Sequence, residues 1–235
     1  MFALRSPSVA YDPAMTAPGL LHASHDPVTS PDPLDPLTRL LPSSPASAPA
    51  GPLTTAARLL AESLLGEMGN RWLHTRGVAE RAAGLAAPLG VDADLLTAAA
   101  WLHDIGYAER TVVTGFHPLD GADHLTRGGW PVRVAGLVAY HSGARFVAAA
   151  RGLSEALAVY PDERTVLADA LTYADQTVGP DGARVDPVSR YAEMLHRHGP
   201  CSWNARVDAD RGPYLRAIAR RVEYLLSFTE AGALP

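Results

Sequence analysis

Imidazole and carboxylate groups recur in this chain at positions where helical spacing would favour apolar side chains. His74 shares a stripe with Val78, Ala82 and Leu85, His141 with Val134, Leu137 and Val138, and Asp175 with Leu167 and Leu171. The adjacent pair His103 and Asp104 closes the run Leu95, Ala99, Leu102. Burying a carboxylate without a partner is costly, so a cation is expected beside Asp175. A lone histidine on such a face is more often a hydrogen-bonded core residue than a ligand. Four helices each turning such a group inward point instead to a shared ion. Nitrogen and oxygen donors without a thiolate suit iron, manganese, zinc or a similar divalent cation, and the donor types do not choose among them.

The elements that must carry these groups are helices. Asp92 and Asp94 precede the Leu95 stripe as capping and first-turn acids, Pro131 opens the segment leading to His141, and Gly106 supplies a stop after His103-Asp104. A further stripe, Leu215, Ile218, Val222 and Leu225, follows Pro213. No segment alternates with period two over strand length, so about seven helices over residues 53–235 are expected to form one all-α domain. Residues 1–52 hold 11 of the 20 prolines and read as a disordered tail with no binding role of its own.

Composition removes several classes of function. All 20 basic residues are arginine, which leaves no Schiff-base lysine and no phosphate-loop lysine. No Gly-x-Ser-x-Gly nucleophile elbow is present. A net charge of -5 gives no general attraction to a nucleic-acid duplex or an anionic membrane, though a local nucleotide pocket stays compatible with it. The single cysteine, Cys201, excludes an intramolecular disulfide and a thiolate cluster. No run reaches the roughly 18 apolar residues of a membrane span, and the first residues lack the apolar stretch of a secretory signal. A soluble, cytoplasmic protein is expected.

The run Trp101-Leu102-His103-Asp104-Ile105-Gly106 is preceded by Trp72-Leu73-His74-Thr75-Arg76-Gly77-Val78-Ala79 and followed by Tyr173-Ala174-Asp175. In this order it resembles the HD superfamily of metal-dependent phosphohydrolases over most of residues 53–180. The resemblance implies an HD-domain/phosphodiesterase-like helical bundle with metal ligands His74, His103, Asp104 and Asp175. The segments Phe116-His117-Pro118-Leu119-Asp120-Gly121-Ala122 and Tyr140-His141-Ser142-Gly143 are similar to those that supply further ligands in dinuclear members. Those members include cyclic-dinucleotide phosphodiesterases and HD-type diadenosine tetraphosphate hydrolases. The implied set becomes His74, His103, Asp104, His117, His141 and Asp175, with Asp104 bridging two ions and central to catalysis. His124 competes with His117 and is expected to be solvated. Tyr107 stands where dinuclear members often carry lysine, and Ser142-Gly143-Ala144-Arg145 replaces the run that marks the cyclic-dinucleotide phosphodiesterases.

What the resemblance implies chemically is one or two divalent ions, iron or manganese among the candidates, that turn water into hydroxide. The hydroxide would cleave a phosphoester or phosphoanhydride bond of a nucleotide or small phosphorylated molecule. In a lysine-free chain arginine forks would meet the phosphate, and Arg145, four residues after His141, and Arg76, two after His74, are best placed by spacing. Ser142, Gln176 and Thr177 adjoin ligands and are expected to orient water or substrate. Two other classes remain: a di-iron oxygenase of the same fold and ligand order, separated by its need for oxygen, and a non-catalytic nucleotide-binding regulatory domain, against which the complete ligand set argues and which metal content would separate.

Overall fold

Two aspartates at the head of one helix organise the first part of the fold. Asp92 caps α3 (Ala93–Leu102) by accepting from the Leu95 amide at 3.0 Å. Asp94 does something the sequence reading did not foresee. Its carboxylate closes the N-terminus of α1 (Pro52–Leu65), accepting from the amides of Leu53 at 3.2 Å and Thr54 at 2.7 Å. The Thr54 hydroxyl returns a bond to the Asp94 carbonyl. Burial would raise the Asp94 carboxyl, but these bonds from Thr54 and Leu53 hold it below its usual range.

The computed structural model of the protein describes residues 51–231. They form eleven α-helices and three short 3-10 turns, with no strand among the described residues. After α1 and before α3 comes α2 (Asn70–Leu89). The chain continues through α4 (His117–Arg127), α5 (Val132–Tyr140), α6 (Ala144–Ala150), α7 (Ser154–Leu157), α8 (Val166–Gln176), α9 (Pro187–His198), α10 (Trp203–Arg206) and α11 (Asp208–Ala231). Eight of these have nine residues or more, against the seven expected. The short α6, α7 and α10 lie in segments where spacing gave no amphipathic signal. No described helix is long and apolar enough to cross a membrane. The expected proline-rich tail lies outside the described residues apart from Gly51 and Pro52.

Alanine sets the packing distances. Ala98, Ala99 and Ala100 on α3 are fully buried, and α3 packs against α1, α2 and α8. Larger side chains fill the remainder: Leu65, Leu85, Leu96, Leu102, Ile105 and Leu171 are each at most 1% exposed, worth about 1.5–3 kcal/mol apiece relative to exposure. The stripe proposed for α11 is buried at Leu215, Ile218 and Val222, but Leu225 is 38% exposed, and it is the next residue, Leu226, that packs against the core. A separate small cluster, Tyr191, Met194 and Leu215, joins α9 to α11.

Gly106 is not a helix stop. α3 ends at Leu102, and Gly106 lies in a 3-10 turn, Ile105–Tyr107, that presses on α4. A methyl group on Gly106 would sit 2.0 Å from the His117 carbonyl oxygen and 2.7 Å from the Gly121 nitrogen. Glycine is required there for close approach of two backbones.

Candidate metal centre

The six residues singled out above arrive from five helices and converge on the carboxylate of Asp104. His74 projects from the buried side of α2, and its Nδ1 lies 3.1 Å from the Gly179 carbonyl. Its Nε2 faces Asp175 Oδ1 at 3.1 Å and Asp104 Oδ2 at 3.9 Å. His103 ends α3 and His141 follows α5, and the two are anchored alike. Each Nδ1 lies within reach of the carbonyl three residues earlier, Ala100 at 2.7 Å and Val138 at 2.6 Å. Helix ends leave such carbonyls free, so the termini of α3 and α5 fix the tautomers and aim both Nε2 atoms into the centre.

His117 is the first residue of α4. Its Nε2 lies 3.4 Å from Asp104 Oδ1 and 3.3 Å from His141 Nε2. Asp104 therefore divides its oxygens: Oδ2 faces His103 at 3.3 Å and His74, while Oδ1 faces His117. Two groups could each hold an ion, His74 with His103 and Asp104, and Asp104 with His117 and His141, their ligand atoms lying within 4.8 Å of one another. Asp175, near the end of α8, completes the inner wall. It accepts from the Ser142 hydroxyl and, at 3.1 Å, from Gln176 Nε2.

The electrostatics suit cation binding. Burial pushes both carboxyls up, yet Asp104 is held well below the usual range by Arg71 and His103, and Asp175 by its bond to His74. Burial drives His117 well below its ordinary value and also lowers His141, which leaves both rings neutral with a lone pair to offer. Burial opposes charge on His103 too, but the neighbouring Asp104 outweighs it and raises that group. His103 Nε2 is buried and makes no hydrogen bond. A buried, unpartnered nitrogen beside a carboxylate is what a cation would satisfy.

The arginines are arranged differently from the expectation. Arg76 is exposed and does not line the cavity over the centre, because two residues along a helix is a rotation of about 200° from His74. Arg145 would share a face with His141 only on a continuous helix. Ser142, at φ 49°, and Gly143, at φ 69°, break the path, and Arg145 instead stacks on Tyr214 at 4.3 Å in a neighbouring cavity that also holds Asp162. The guanidinium that does reach the centre is Arg71, one turn before His74, paired with Asp104. It lies 4.0 Å over the Tyr107 ring, whose other neighbour is His117 with centroids 4.0 Å apart. Burial works against the Arg71 charge, yet Asp104 more than offsets it and raises the group. The i, i+3 spacing of Arg71 and His74 was a usable signal that the sequence reading passed over. His124 lies on α4 and does not line this cavity.

The cavity over the centre has a volume of about 320 Å³. Its inner wall is His74, Asp104, His117, His141 and Asp175, and its outer wall includes Arg190, Arg197 and Arg211 from α9 and α11.

Residues 71–178 match the family model described as HD domain. This stretch is an HD domain. All six converging residues fall inside the matched stretch, while α9–α11 lie beyond it. A Thermoplasma volcanium protein named tRNA (cytidine(56)-2'-O)-methyltransferase is 44% identical over 72 residues, 30% of this chain and 20% of that protein. The chain thus spans about a fifth of that relative's length. No solved structure matches.

Proposed function

We propose that the protein is a metal-dependent phosphohydrolase that cleaves a phosphoester or phosphoanhydride bond of a nucleotide or small phosphorylated molecule. The observation that carries this reading is the split of Asp104 between two histidine pairs, with His103 Nε2 buried and unpartnered beside it. Four imidazoles and two carboxylates held in their charged form fit one or two divalent ions. His74, His103, Asp104 and Asp175 would hold one ion, with Asp104, His117 and His141 holding the second.

When bound, such ions supply a water acidic enough to act as nucleophile near neutral pH and a charge that steadies phosphoryl oxygens. The chain's own groups do the rest. Arg71 keeps Asp104 ionised and, stacked on Tyr107, presents its fork at the cavity wall. Gln176 and the Ser142 hydroxyl, 3.2 Å apart, both bond Asp175 and fix the direction of its carboxylate. Phe116 and Val147 add apolar surface to the cavity lining, with Arg151 over the Phe116 ring. The Ser142 hydroxyl in the cavity donates to Asp175, whose carboxyl is held well below its usual range and is therefore a weak base toward it, which favours attack by water over a covalent route.

Turnover of a phosphoester panel by manganese- or iron-loaded protein, run anaerobically in oxygen-18 water, tests this. Solvent label in the released phosphate is the expected result. A requirement for dioxygen, or phosphate without label, would place the chain with the oxygenases, and a loaded protein with no turnover would leave a binding domain.

A further inference from the structure

Arg211 is a buried cation without a counter-ion. It is 8% exposed, and both of its hydrogen bonds go to neutral oxygens: Nε donates to the Ser142 carbonyl at 2.9 Å and Nη1 to Asn204 Oδ1 at 2.7 Å. No carboxylate pairs with it among the described residues. The other arginines of the outer wall differ: Arg190 and Arg197 share Glu193 at 2.7 and 2.8 Å, and Arg71 has Asp104. Desolvation dominates at Arg211 and lowers its pKa, only partly opposed by Tyr191 and then Asp175. Burying a guanidinium without an anion is costly, and the fold retains it where it lines the cavity.

The remaining N–H donors of Arg211 have no protein partner among the described residues. Arg211 itself is tied to the backbone beside the centre, since the carbonyl its Nε holds belongs to Ser142, the residue after His141. Five arginines line the cavity, Arg71, Arg151, Arg190, Arg197 and Arg211, against two aspartates already committed to histidines. Its volume of about 320 Å³ lies within the range of roughly 300–1,000 Å³ usual for small-molecule sites. An arginine fork is geometrically matched to a phosphate and poorly replaced by lysine.

We propose that Arg211 is an anion subsite that receives a phosphate group of the substrate, so that a helix outside the HD-matched residues decides which phosphorylated molecules are accepted. The identity of the anion as phosphate rests on the phosphohydrolase reading, whereas the subsite itself does not. Arg211 also holds the Ser142 carbonyl, and a purely structural role would act through His141 on metal affinity alone.

Calorimetric titration of inorganic phosphate into the full chain separates these roles. Wild type, Arg211→Gln, Arg211→Lys and Arg76→Gln are compared, each manganese-loaded and chelator-treated, with metal content measured in parallel. Phosphate affinity should fall roughly tenfold or more in Arg211→Gln, the scale of one charge-assisted hydrogen bond. Arg211→Lys should fall between, Arg76→Gln should match wild type, and bound metal should stay constant. Should Arg211→Gln fail to fold, Arg211→Lys, which keeps the buried charge but not the fork, carries the comparison. Unchanged phosphate affinity, a loss confined to metal content, or no phosphate binding by wild type in either state would overturn the subsite. Turnover plays no part in the readout: a phosphate-binding chain that hydrolyses nothing would remove the enzyme reading and leave the subsite standing.

Discussion

The inner and outer walls of one cavity are built on opposite terms. Inside, every charged group has a partner or a ligand geometry: Asp104 sits among Arg71, His103 and His117, and Asp175 among His74, Ser142 and Gln176. Outside, α9–α11 contribute arginines whose compensation is partial, and at Arg211 absent among the described residues. The inner wall falls wholly within the HD match, and Arg190, Arg197 and Arg211 of the outer wall lie beyond it. The HD-matched stretch thus carries the groups that could hold an ion, while a separate segment carries arginines that line the same cavity.

The sharpest way to break this contrast is at Asp104. Asp104→Ala should drop metal content from as many as two ions toward none by elemental analysis and abolish turnover, because both groups use this carboxylate. His117→Ala should empty only one position. A fully occupied Asp104→Ala protein would refute the ligand assignment. Metal removal gives the next largest effect: chelation should lower Tm, by as much as about 2.7 kcal/mol of stability when the free ion exceeds its Kd a hundredfold. A Tm indifferent to chelator would mean that the inner wall holds no ion in solution.

Smaller effects separate walls from scaffold. Gly106→Ala drives a methyl into the His117 carbonyl, and an overpacking cost of about 1–3 kcal/mol should appear as a Tm lowered by several degrees, by calorimetry. Arg76→Ala should change Tm and phosphate binding negligibly, within about 0.5 kcal/mol, as an exposed side chain away from both walls. Deleting residues 1–50, which keeps Gly51 and the Asp94 clamp on α1, should leave Tm and metal content nearly unchanged. A large loss there would show that the proline-rich segment packs on the domain.

What could be read from the sequence followed from periodicity. His74, His141 and Asp175 were visible because a polar group interrupted an apolar stripe, and the helical class followed from the same stripes. Arg211 carried that signal too, lying four residues before Leu215 and seven before Ile218, both buried. Arginine is so often exposed that its place in the stripe went unread. Arg145 was misjudged for a different reason: spacing along a helix predicts a shared face only while the helix continues, and nothing in the sequence told that Ser142 would take a left-handed backbone. Asp94 closing α1, some 40 residues earlier in the chain, is a tertiary contact that local pattern cannot contain.

Gly106 also governs how steady the centre is. Side-chain contacts let neighbouring helices breathe as rotamers exchange, but the 3-10 turn behind Asp104 meets α4 at His117 backbone against backbone. Such a contact involves no side-chain rotamer. It fixes the separation of the two backbones that carry Asp104 and His117, from which their side chains reach one another. The two halves of the cluster are held apart by a stiff gauge block rather than a spring.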